Sequence, residues 1–263
     1  MIPILCGLLL LTHPYPFWRA WLANRHTTLR WTLVWTFMAW LCWLVVVGGG
    51  AIWPSCDGPT SRYLALTLTG CAGVAVLGAR KPVVTAWNFV LTGLAAVLLL
   101  PVAEGFGTPR LSTMYLAFLI ATLAVGFLNY LPTPLAPAVL SLAAACTFEI
   151  VRLANGDLPD YFVWMGRGLL GLTPWLTFLM LSWRGKGTTE FDQTWLAFRD
   201  RFGVVWSQRT REQFNRAAVN AGLPWQLSWQ GLQCTVPDAA HDPAQALETL
   251  KALLIRFEER ESL

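Results

Sequence analysis

Charge is scarce in this sequence, and metal-binding or nucleotide-binding motifs are scarcer. Asp, Glu, Lys and Arg make up 13% of the 263 residues, about half of the roughly 25% usual in soluble domains. Apolar residues make up 55%. That leaves too little polar surface to cover a globule in water, which excludes an ordinary soluble protein and makes lipid the natural solvent. The three histidines, His13, His26 and His241, are scattered, which excludes a membrane haem pair or a zinc triad. None of the six cysteines (Cys6, Cys42, Cys56, Cys71, Cys146, Cys234) stands in a CxxC or other metal spacing. Most lie in apolar runs, where cysteine packs as a small hydrophobe. No disulfide framework, metal or cofactor is expected. Gly185-Lys186-Gly187-Thr188-Thr189 lacks the GxxxxGK[ST] spacing of a phosphate loop. Neither half has the strongly basic face that a nucleic-acid partner would need, and no internal repeat of the transporter kind is visible.

What charge there is divides unevenly. From Arg184 onward ten basic residues face ten acids, whereas the first 183 residues hold nine basic and five acidic groups. The expectation is a membrane-embedded body followed by a water-facing tail. Apolar runs long enough to span lie at Leu29–Trp53, Tyr63–Ala79, Val83–Ala103, Leu111–Leu131, Leu135–Leu153 and Tyr161–Trp183. Ahead of them Met1–Leu11 is apolar but short, and it ends at His13-Pro14-Tyr15-Pro16. It lacks the basic start of a secretory signal. Residues 1–18 read as an interfacial half-span, or alternatively as a seventh helix. The fold class is therefore an all-α polytopic membrane protein with six spans, plus this segment, and a small C-terminal domain.

One side of the predicted bundle collects Arg19, Arg25, Arg30, Arg80, Lys81, Arg184 and Lys186. The other carries Arg62, Arg110 and Arg152, offset by Asp57, Glu104, Asp157 and Asp160. By the excess of Lys and Arg on cytoplasmic loops, the C-terminus is cytoplasmic. Trp18, Trp21, Trp31, Trp53, Trp164 and Trp183 fall near span ends, where indole suits the headgroup level. Small residues predict close helix contacts: Gly70, Ala72, Gly73, Ala75 and Gly78 in the second span, Ala117, Ala121 and Ala124 in the fourth, and Gly166, Gly168 and Gly171 in the sixth. Gly48-Gly49-Gly50 predicts a loosened first span.

Ionisable groups inside spans are costly and each needs a reason. Glu149 and Arg152 sit three apart on one helical face, with Cys146 three further back. Arg167 lies at a matching depth in the next span. The bland reading is an intramembrane ion pair among Glu149, Arg152 and Arg167. The sharper reading is a polar site with Cys146 as nucleophile or Glu149 as base; a thiol needs an activating partner, and no His follows Cys146 in the spans. Asn88, Asn129 and Thr122 read as polar helix contacts, or as an entry path.

After a linker at 184–189, residues 190–263 read as an α-β-β-α domain. Thr189 suits an N-cap, and Phe191, Trp195, Phe198, Phe202, Val205 and Trp206 form an apolar stripe at helical spacing. Gly222 suits the helix stop. Trp225, Leu227 and Trp229 alternate before Gln230-Gly231 and Leu232–Val236, a hairpin pattern. Asp242-Pro243 starts a last helix with Leu247, Leu250, Leu254 and Phe257 on one side. Asp238, His241 and Asp242 are close in sequence but read as solvent-facing. A domain this small has a marginal core and needs the membrane body, the headgroups or a partner to complete it. The expected function is that of a non-catalytic inner-membrane subunit or scaffold whose cytoplasmic domain binds a protein. The alternatives are a small transporter or channel using Asn88, Asn129, Glu149 and Arg167, and a membrane enzyme acting on a lipid or translocated peptide through Cys146 and Glu149.

Overall fold

The computed structural model describes residues 2–105, 112–156, 158–183, 189–235 and 243–258. Arg110, Asp157, Arg184, Lys186, Asp238, His241 and Asp242, and with them most of the expected linker, lie outside the described residues.

The chain opens with α1 (Ile2–Leu11) and α2 (Pro14–Asn24), separated by a break at Thr12-His13. It continues with α3 (Arg30–Trp43), which runs into a π-helical turn Leu44–Gly49 and a short α4 (Gly50–Ile52). Glycines there relax the helical hydrogen-bond ladder, so the sequence loosens where Gly48-Gly49-Gly50 stands. Then come α5 (Pro59–Ala75), α6 (Val84–Glu104), α7 (Thr113–Tyr130), α8 (Ala136–Asn155) and α9 (Asp160–Ser182). Among the described residues five helices are long and apolar enough to cross a membrane: Arg30–Gly49, Pro59–Gly78, Val84–Glu104, Thr113–Tyr130 and Ala136–Asn155. α9 has 23 residues, about 34 Å of helix, but its glycines, Pro174 and Arg167 lower its hydropathy below theirs.

α5 is the central helix, with most of its length buried inside the bundle. Its small residues are the reason. Gly73 meets Gly126 of α7 so closely that a Cβ on Gly126 would stand 2.7 Å from the Gly73 Cα. Gly70 receives the Thr122 methyl, 3.1 Å from where its Cβ would be. The α7 face that packs is Leu119, Thr122, Leu123 and Gly126. The expected stripe of Ala117 and Ala121 is exposed instead, because Gly126 permits a closer backbone approach than alanine and takes the contact. In α9, Gly166 packs on Phe148 and Gly171 on Leu9, whereas Gly168 meets nothing.

The N-terminal segment packs against the bundle. Cys6 and Leu10 are buried in the bundle core, and α1 packs on the π-helical turn and on α9. Gly7 faces Gly48, Trp40 Nε1 donates to Leu10 O at 3.2 Å, and Phe17 stacks edge-on with Phe37. α1 and α2 thus run antiparallel beside α3 along most of its length. At the break, His13 is buried, its Nε2 lying 2.8 Å from Gly171 O of α9.

The tail consists of α10 (Glu190–Asn220), β1 (Trp225–Leu227), β2 (Leu232–Cys234) and α11 (Pro243–Leu254) with a closing 3-10 turn Ile255–Phe257. Thr189 caps α10 by accepting from Asp192 N at 3.1 Å. Gly222, at φ 65, ends it with Leu223 N donating to Ala218 O, the left-handed stop that glycine favours. The strands pair antiparallel with Gln226 opposite Gln233. Phe191, Trp195, Phe198, Phe202, Trp206, Phe214, Leu250 and Phe257 form one core, and Leu29, Val76 and Ala79 from the bundle complete it. The stripe is therefore core, and the missing burial comes from the bundle.

Candidate functional site

At the end of the bundle opposite the tail, five ionisable side chains from four elements converge. Asp57 ends the 3-10 turn Pro54–Asp57 that follows α4; Arg62 is in the first turns of α5; Glu149 and Arg152 are near the end of α8; Arg167 is two turns into α9. Asp57 is the hub. Arg167 Nη2 lies 2.6 Å from its Oδ1, Arg152 reaches both of its oxygens at 3.2 Å, and Arg62 Nε stands at 3.7 Å. Arg167 Nε also faces Glu149 Oε1 at 3.4 Å, and Arg152 Nη1 lies 3.9 Å from Glu149 Oε2. The Trp164 ring covers Arg167, its centroid 4.8 Å from the guanidinium carbon, a cation–π contact that shields the charge. Arg167 is 2% exposed and Glu149 4%.

The local sequence explains how Asp57 gets there. Gly49 and Gly50 leave room for the chain to fold back: a Cβ on Gly50 would stand 2.9 Å from the Asp57 Cβ. Asp57 and Arg62 read in the sequence as loop charges. The signal that could have found them is the glycine triplet seven residues ahead, which seats the returning turn. Among the described residues three guanidiniums share two carboxylates, an excess of one positive charge. Such an arrangement holds helices in register through charge-assisted hydrogen bonds, and removing one partner strands the others in low dielectric.

The structure brings Glu149, Arg152 and Arg167 together and sets Cys146 one turn before Glu149. Cys146 is 1% exposed and lies in the apolar core. Glu149 Oε1 is engaged by Arg167, and the bundle histidine His13 is committed to Gly171 O. Among the described residues no group of three or more His, Cys, Asp or Glu converges as a metal site.

The remaining polar residues lie elsewhere. Asn88 Oδ1 accepts from Trp35 Nε1 at 3.2 Å, joining α6 to α3. Thr122 turns its hydroxyl back to Phe118 O of its own helix. Asn129 reaches out of the bundle to α10, which breaks at Gly203 with φ 75 and ψ −171. Asn129 Nδ2 donates to Phe202 O at 3.3 Å, and its Oδ1 accepts from Val205 N at 3.1 Å. One side chain thus satisfies the carbonyl before the break and the amide after it. Gly203 is required twice, by its positive φ and by space, since a Cβ would stand 2.7 Å from Asn129 O. Tyr130 Oη donates to Arg201 O, Trp206 Nε1 to Val76 O, and Thr28 Oγ1 to Ala79 O.

No family model matches the chain, no curated protein matches it, and no solved structure matches it.

Proposed function

We propose that this chain is an integral inner-membrane scaffold, non-catalytic, that holds an α-β-β-α domain rigidly at the cytoplasmic face for a protein partner. In this reading α9 is the sixth span, and α1 with α2 forms a broken seventh that starts outside. Residues 190–263 are the cytoplasmic domain, and the charge cluster around Asp57 lies near the outer surface as a clamp. The excess of Lys and Arg at the tail end of the bundle supports that orientation.

The observation that carries the reading is the seam between bundle and tail. A shared apolar core and the paired bonds of Asn129 across the Gly203 break fix the domain to the bundle. A mount of this kind keeps the outward face of α10 at a set height above the lipid. The transporter reading has less support. Asn88 and Asn129 are spent on Trp35 and α10, at the opposite end of the bundle from Glu149 and Arg167.

The test uses the whole chain in native membranes. Photo-crosslinking residues are placed at the exposed tail positions Arg216 and Val219 and, as controls, at the exposed positions Trp53 and Tyr161. A discrete protein adduct at the tail positions and none at the controls is the expected outcome. Adducts only at Trp53 or Tyr161, or none anywhere while the chain is folded, would contradict it.

A further inference from the structure

The seam that mounts the tail also gathers three arginines. Arg80 follows the α5 span, Arg209 lies on α10, and Arg256 lies in the 3-10 turn after α11; together they line one cleft over Trp206. The floor is fixed, because Trp206 is buried and its indole N–H is held by Val76 O at 2.9 Å. The Arg80 and Arg209 guanidinium carbons lie 5.9 and 5.4 Å from the Trp206 ring centroid, and Arg256 Nη1 donates to Gln213 Oε1 at 3.4 Å. Thr210 and Gln213 add a hydroxyl and an amide to the lining. Among the described residues no carboxylate forms an ion pair with any of the three.

Like charges gathered on a fixed floor repel unless a counter-anion joins them. The chemistry presented is guanidinium donors beside a hydroxyl, which matches phosphate oxygens. The enclosed space is only about 10 Å³, roughly one water. That is too small for an enclosed metabolite, whereas guanidiniums reaching outward suit a phosphate presented at the surface. The cleft also sits where α5 ends and the tail begins, next to Lys81, whose backbone N–H donates to Arg256 O at 2.9 Å. If α5 crosses a bilayer, as its length and composition allow, this end of it meets the headgroups of one leaflet.

We infer that Arg80, Arg209 and Arg256 form a phosphate-binding site at the membrane–tail seam, occupied by the phosphodiester of an anionic lipid headgroup. The site docks lipid against both halves of the molecule at once, since its residues come from the bundle and from the tail. It is independent of what the outward face of the tail binds.

The test is made on the full-length protein in nanodiscs of phosphatidylcholine with or without phosphatidylglycerol, with bound lipid counted by native mass spectrometry after extraction. Each basic residue near a charged surface is worth about fivefold in affinity. Arg80→Gln, Arg209→Gln and Arg256→Gln together should therefore weaken retention of phosphatidylglycerol by about a hundredfold. Arg209→Gln alone, at an exposed position, should weaken it by about fivefold and serves if the triple variant does not fold. Arg216→Gln, a charge on the outward face of α10 and outside the cleft, should leave retention unchanged. Inorganic phosphate is the second arm. If it raises the melting temperature of wild type but not of the triple variant, while phosphatidylglycerol is held no better than phosphatidylcholine, the site takes free phosphate and the lipid assignment falls. Equal retention by wild type, Arg209→Gln and the triple variant, with no phosphate effect, overturns the site itself.

Discussion

The two ends of the bundle close in opposite ways. At the far end closure comes from charged side chains: Asp57 gathers Arg62, Arg152 and Arg167, and the Trp164 ring covers Arg167. At the near end the tail closes the bundle through an apolar core and side chain-to-backbone bonds from Asn129, Tyr130 and Thr28. Among the described residues, Arg80, Arg209 and Arg256 at the near end form no ion pair with a carboxylate. The difference shows what sets the role of an arginine in such a chain. Where helices must be tied without a domain to cover them, guanidiniums are consumed internally. Where the tail's apolar core already does the tying, Arg80, Arg209 and Arg256 line a surface cleft.

The comparison can be broken most sharply at Asp57. Asp57→Asn leaves three guanidiniums around Glu149 alone, and an uncompensated buried charge costs about 3–5 kcal/mol. Denaturant unfolding in detergent should show that loss, and it should show a smaller one for Arg62→Met, which leaves the cluster with matched charges. If Asp57→Asn and Arg62→Met cost the same, the surplus charge plays no part.

At the near end Gly203→Val should cost about 3 kcal/mol, from positive φ and a clash with Asn129. Limited proteolysis should then cut the tail before the bundle. Asn129→Ala comes next, at about 2 kcal/mol, because it strands Phe202 O and Val205 N without partners. Its effect should be confined to the seam, leaving the far-end cluster intact by the unfolding of Asp57-dependent contacts in a double variant: the losses of Asn129→Ala and Asp57→Asn should add, as distant sites do. Smallest is Arg209→Gln, within about 0.5 kcal/mol; a larger loss would mean that this arginine is structural, as those at the far end are.

Much of this architecture was legible in the sequence, for a physical reason: periodicity reports burial. The apolar runs, the Thr189 cap, the Gly222 stop and the Trp225–Cys234 hairpin are local patterns, and they stand where the chain places them. The Glu149, Arg152 and Arg167 neighbourhood could be read because matching depth on consecutive helices needs no knowledge of the rest. Asp57 and Arg62 could not, since their part depends on a fold-back after the first span. The break at Gly203 was hidden because the aromatic stripe continues through it, Phe198 and Phe202 before and Trp206 after. Asn129 read as interhelical glue; its partner stands 73 residues later in the chain, in the tail. The N-terminal segment reads as short because the Thr12-His13 break divides it into two helices, and its packing beside α3 depends on contacts with Gly48 and Trp40 far along the chain.

The claim on which the account rests is that tail and bundle form one mechanical body. Hydrogen exchange on the full-length protein in nanodiscs tests it most directly, read at amides 198–214 of α10 and compared with α5. The account predicts that these amides exchange about as slowly as those of α5, and that Asn129→Ala speeds exchange around Val205 without touching α5. Fast exchange across α10 in the unaltered protein, with α5 protected, would mean that the tail moves as an independent domain and would contradict the account.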